Sequence, residues 1–96
     1  MRKYGKRDRN QPEIVKVLRR IPGVSVMDIA SVGNGAPDLV AGYRGENWLF
    51  EVKSESGRKR KNGGLTPAEH AFAVNWQGQW SCASNVEEIL RKIMRK

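Results

Sequence analysis

The sequence predicts an α/β (α+β) fold: one mixed sheet flanked by helices, with elements in the order α-β-β-β-α-β-α. Three observations carry this. Helix-start signatures recur at Asn10–Glu13, Thr66–Glu69 and Ser84–Glu87, each a capping residue followed three positions later by glutamate. Runs rich in β-branched and aromatic residues lie between them. Two of those runs are joined by Arg44-Gly45-Glu46-Asn47, a hairpin signal.

The first helix opens at Asn10, with Pro12 in its first turn, and carries Ile14, Val17, Leu18 and Ile21 as one apolar stripe. Pro22-Gly23 stops it. Val24–Ser31 alternates and reads as a strand, Gly33–Pro37 as a loop, and Asp38–Tyr43 and Trp48–Lys53 as two further strands. Residues 54–64 are polar, basic and glycine-containing, and predict a mobile loop longer than packing requires. Thr66 and Pro67 open the next helix, with Phe72 and Trp76 on one face and Gly78 at its end. Trp80–Ala83 is a short strand. Val86, Ile89, Leu90, Ile93 and Met94 mark the last helix. Residues 1–9 read as a flexible basic arm and 10–96 as a single domain, without internal repeat or linker.

Ninety-six residues suffice for one modest core. No apolar run is long enough for a membrane span and no signal-peptide pattern follows the basic N-terminus, so the expected location is the cytoplasm. One cysteine and one histidine exclude an internal disulfide and a cysteine- or histidine-rich zinc site. The formal charge is +8, and it is clustered. Arg2, Lys3, Lys6, Arg7, Arg9, Lys16, Arg19 and Arg20 fall in the first twenty residues. A second block is Arg58-Lys59-Arg60-Lys61, and a third is Arg91, Lys92, Arg95 and Lys96. Such fields attract polyphosphates, in a salt-dependent way.

The hairpin can be worked out residue by residue. A type II′ turn at Gly45-Glu46 would set Asp38 opposite Lys53 and Val40 opposite Glu51. Because side chains alternate, Asp38, Glu51 and Lys53 then share one face, with Trp48, Phe50 and Val52 on the other. Asp38 and Glu51 become diagonal neighbours, roughly 7–8 Å apart at Cα. A turn differing by one residue would throw Asp38 off that face. Two carboxylates so placed suit Mg²⁺ or Mn²⁺, which favour oxygen ligands and retain waters. A metal-bound water can attack a phosphodiester, and an adjacent ammonium can orient it and offset developing charge.

With Gly35-Ala36-Pro37-Asp38 on one strand and Glu51-Val52-Lys53 on the next, the sequence resembles the PD-(D/E)XK nuclease superfamily. It is most similar to stand-alone phage and prophage members of the VRR-NUC group, through GAPDLV, WLFEVK, the basic loop, LTPAEHAF and SNVEEIL. The resemblance runs from about Glu13 to Ile93. It implies a restriction-endonuclease-like αβββαβα core and a Mg²⁺- or Mn²⁺-dependent endonuclease. The implied substrate is DNA, often branched DNA such as Holliday junctions. Asp38, Glu51 and the main-chain carbonyl of Val52 would bind metal, and Lys53 would assist the water. Glu13 matches a first-helix glutamate of such sites, or simply caps its helix. The family commonly has glutamine where Glu69 stands; Glu69 caps its helix or also reaches the site.

Arg58, Lys59, Arg60 and Lys61, with Lys6, Arg7 and Arg9 of the arm, are candidate nucleic-acid contacts. A four-way junction has near two-fold symmetry, so a homodimer is expected; no membrane and no small-molecule cofactor are. His70 reads as solvent-facing, Cys82 as a buried filler and Asp28 as an extra acidic ligand or a plain strand residue. At least two of Trp48, Trp76 and Trp80 are expected in the core. The competing functions are a non-catalytic basic DNA- or RNA-binding protein on this fold, or a restriction- or replication-linked nuclease of the same chemistry.

Overall fold

The computed structural model describes residues 11–95, so the basic arm with Lys6, Arg7 and Arg9, and the Asn10 cap, lie outside the described residues. Helix α1 spans Gln11–Leu18 and buries Gln11, Ile14, Val15 and Leu18. Strands follow at β1 (Val24–Asp28), β2 (Leu39–Tyr43) and β3 (Glu46–Val52). Next come a one-turn helix α2 (Glu55–Arg58), a 3-10 turn at Lys61–Gly64 and helix α3 (Pro67–Asn75). Strand β4 (Gln79–Ala83) and helix α4 (Val86–Ile93) complete the chain. Among the described residues no helix is long and apolar enough to cross a membrane.

The result is a small α+β domain built on a four-stranded mixed sheet of order β1-β2-β3-β4. The first two pairings are antiparallel and β3–β4 is parallel. Helices α1 and α4 pack together over one face. There Leu18, Leu39, Phe50 and Ile89 are fully buried, with Ile14, Val15, Ala41, Trp48, Val52, Ala83 and Ile93 around them. Full burial of a Leu, Ile or Phe side chain contributes about 1.5–3 kcal/mol, so this layer is the main source of stability. The opposite face carries the cross-strand row Met27–Val40–Leu49–Trp80, and Met27 is 56% exposed.

The hairpin register differs from the sequence expectation. Tyr43 pairs with Glu46, Ala41 with Trp48 and Leu39 with Phe50, so the turn residues are Arg44 and Gly45 rather than Gly45 and Glu46. Both have positive φ, 52° and 84°, as a type I′ turn requires. This register seats small Ala41 beside Trp48 and stacks the Arg44 guanidinium over Tyr43, 5.4 Å from the ring centroid. It moves the pairing by two residues, and a two-residue slip leaves every side chain on its original face.

Three further expectations are corrected. The 54–64 segment is locally ordered: Ser54 caps α2, its hydroxyl accepting from the Gly57 amide at 3.0 Å. The last helix is capped by Asn85, whose side chain accepts from the Glu88 amide, so the cap lies one residue beyond Ser84. Of the tryptophans only Trp48 belongs to the core. Trp80 is half-buried, and Trp76 is 46% exposed and stacked on Phe72.

Candidate active site

The pocket forms where β2 begins and β3 ends. Asp38 precedes Leu39, and its carboxylate acts as one more rung of the sheet, Oδ2 accepting from the Val52 amide at 2.7 Å. Its own amide donates to the Phe50 carbonyl at 2.9 Å. The observed register, extended by one residue, sets Asp38 opposite Glu51 rather than opposite Lys53. Asp38, Glu51, Val52, Lys53 and Glu69 line one cavity of about 310 Å³ with Ala30, Ser31, Gly33, Gly35, Ala36 and Thr66. The loop wall needs Gly35, at φ 82°, because a Cβ there would overlap the Ala68 carbonyl at the start of α3.

Glu51 is 3% exposed, and its Oε1 is buried without a hydrogen-bond partner. Burial, then the charges of Asp38 and Glu69, push its carboxyl up to about 9. Burial also raises Asp38, against the pull of the Val52 amide and of Glu51. Two facing carboxyls resist ionising together, and Glu51 is the one that keeps its proton at neutral pH.

Burial alone would depress Lys53. The hydrogen bond to Glu69 and the surrounding carboxylates outweigh it, so its ammonium sits above the ordinary lysine value. Lys53 Nζ lies 3.0 Å from Glu69 Oε1 and 4.0 Å from Glu51 Oε2.

Glu69 performs two tasks with one oxygen. Oε1 accepts from the Thr66 amide at 3.0 Å, closing the capping box of α3, and it receives Lys53. Burial works against its ionisation, but the Thr66 amide and Lys53 prevail and lower its carboxyl below the ordinary value. The sequence left open whether Glu69 was cap or site residue; it is a cap that also touches the site.

Glu13 is exposed, two positions from Gln11 on a helix whose buried stripe runs through Gln11, Ile14 and Leu18, and it does not line the pocket. The nearby residue that does brace the site is Gln11, which is fully buried. Its Nε2 donates to Asp28 Oδ1 at 3.1 Å, and the same oxygen accepts from the Ala30 amide at 3.0 Å. Asp28 is thus joined to the pocket wall through Ala30. Nothing in the pattern around Gln11 marked it.

Arg58 is engaged elsewhere. Its guanidinium contacts both Glu88 oxygens at 2.7 Å and Ser84 at 3.2 Å, so it fastens α2 to the start of α4. Lys59, Arg60 and Lys61 are exposed and do not line the pocket. His70 is exposed, and the half-buried Cys82 has its thiol pushed up by burial.

No family model, curated protein or solved structure matches this chain.

Among the described residues no group of three or more His, Cys, Asp or Glu side chains forms a metal cage. The site does hold a pair of facing carboxyls with an unsatisfied buried oxygen on one of them. A hard divalent cation completed by water fits such a donor set.

Proposed function

We propose that this chain is a divalent-cation-dependent nuclease of the PD-(D/E)XK type, with the restriction-endonuclease-like core, acting on DNA phosphodiesters. The VRR-NUC resemblance makes branched DNA the proposed substrate and a homodimer the proposed assembly. The observation that carries this reading is the orphaned Glu51 Oε1, buried beside Asp38 with Lys53 4.0 Å from its sister oxygen. A buried acceptor left unpaired costs about 1–3 kcal/mol, and a ligand that uses it removes that cost.

Asp38, Glu51 and the Val52 carbonyl would hold Mg²⁺ or Mn²⁺. When bound, the cation supplies a more acidic water and charge stabilisation at the phosphate. The chain's own residues do the rest. The Val52 amide keeps the Asp38 carboxylate aimed along the strand. Glu69 fixes the Lys53 ammonium at the pocket wall, where it can orient a nucleophile and offset negative charge in the transition state. Lys59, Arg60 and Lys61 would hold the phosphate backbone near the pocket.

The test is a panel of linear, flapped and four-way DNA substrates with Mg²⁺ or Mn²⁺. The wild type should cut, with symmetric paired nicks at a junction. Lys53→Ala should lower the rate at least about 100-fold while DNA binding persists. A wild type inert on every substrate with both ions, yet bound to DNA, would favour the non-catalytic binding protein instead.

A further inference from the structure

The far end of the sheet carries a second concentration of charge, opposite in sign to the carboxylates of the pocket. Strand β2 leaves Asp38 at the pocket and spans five residues to Tyr43, so the hairpin turn stands about 17 Å from the pocket. Helix α4 begins at the pocket end, just after β4, and runs back. It places the Arg95 guanidinium 5.1 Å over the Trp48 ring centroid. There Ile93, Met94 and Arg95 line a shallow cavity of about 470 Å³ with Tyr43, Arg44 and Glu46. The connection from α1 also returns to this end, since Val24 pairs with Tyr43 and a methyl group at Gly23 would touch the Tyr43 ring.

Six exposed basic residues therefore gather at one pole: Arg19, Arg20, Arg44, Arg91, Lys92 and Arg95. Among the described residues none of them is in an ion pair. The acidic neighbours are Glu46, which accepts from Gln79 at 3.5 Å, Glu87, and Glu88, which feels the charge of Arg91 but is paired with Arg58.

Two of the guanidiniums are held rather than free. Arg44 lies over Tyr43, and Arg95 lies over Trp48 while donating to the Lys92 carbonyl at 3.2 Å. A planar guanidinium already stacked loses little freedom when it meets a phosphate. The six donors come from three separate segments of the chain that meet the hairpin end of the sheet, which suits an extended polyanion better than a single headgroup.

We propose that this pole is a second nucleic-acid backbone site, separate from the pocket, with Arg44 and Arg95 as its fixed donors and Arg91 beside them. It shares the nucleic-acid ligand of the proposed function but not its cleavage step.

The test is equilibrium binding of the full chain to a labelled linear DNA duplex, read by fluorescence anisotropy across a salt series without divalent ions. The triple variant R44Q/R91Q/R95Q should bind roughly 10-fold more weakly at moderate salt. Its slope of log affinity against log salt should be shallower by about 2–3, since each lost phosphate contact removes about 0.9. If losing the Trp48 stack unfolds the triple variant, R44Q/R91Q should show the same change with a slope loss of about 2. Unchanged affinity and slope in a folded variant would overturn the proposal. So would a wild type that binds phosphatidylserine vesicles but no duplex. A wild type that cuts nothing yet shows the slope loss would support the second site while the nuclease reading fails.

Discussion

The two faces of β3 are built for opposite ends. Trp48, Phe50 and Val52 project into an apolar layer, and Trp48 and Phe50 stack with centroids 6.0 Å apart. Glu51 and Lys53, from the same stretch of chain, project into a pocket where carboxyls confront one another. The first face stabilises the fold. The second costs stability, because burial opposes the charged form of Glu51 and leaves one of its oxygens unbonded. A single strand can carry both because side chains alternate, and the helix-covered face anchors the strand firmly enough to hold the other in place.

Three substitutions test the contrast between the two faces. The largest effect belongs to the apolar face. Phe50→Ala should cost about 3–5 kcal/mol in urea unfolding, a large share of the total for so small a domain. A loss below about 1 kcal/mol would mean that the stability lies elsewhere. The loop wall comes next. Gly35→Ala forces a Cβ against the Ala68 carbonyl at a left-handed φ of 82° and should cost about 1–3 kcal/mol. It should also reduce cutting, and full activity with unchanged stability would show that α3 yields freely.

The smallest effect has the opposite sign. Without divalent ions, Glu51→Gln should stabilise the protein by about 1 kcal/mol at pH 8–9, or roughly 4–8 °C in Tm, while abolishing cutting. The sign follows from linkage. The folded value of about 9 lies above the ordinary 4.5, so the folded chain holds a proton that the unfolded chain releases. The stabilisation is fully present below pH 4.5 and is lost as pH rises through about 9. Melting curves of the ion-free wild type should therefore fall across that window, and those of the variant should fall less. A variant that melts lower than wild type at pH 9 would contradict the cost assigned to this face.

Much of this was legible in local pattern. The sheet order of elements followed from three helix starts and the alternation in Asp38–Tyr43 and Trp48–Lys53. The common face of Asp38, Glu51 and Lys53 survived a misjudged turn because the error was two residues. The turn itself was illegible because Arg44 adopts positive φ while stacking on Tyr43, against its ordinary preference. Arg58 looked like a phosphate contact because its partner, Glu88, lies thirty residues further along the chain. Gln11 carried no signal, since its partner Asp28 is seventeen positions away and the pairing depends on how α1 meets β1. A helix-start glutamate such as Glu13 reads alike whether it caps or catalyses. Long-range polar partners are the part that pattern does not encode.

The bond from the Val52 amide to Asp38 has an evolutionary consequence. Under the proposed function, position 38 answers to two selections at once, since its side chain completes the sheet as well as lining the pocket. Asparagine could accept the same amide hydrogen and satisfy the first demand alone. A lineage that had abandoned the chemistry would still be held near Asp or Asn at 38 by the backbone, whereas Lys53, whose ammonium pairs with pocket carboxylates among the described residues, would be released to drift. Among descendants of this sequence, the lysine is the more telling witness to a working site.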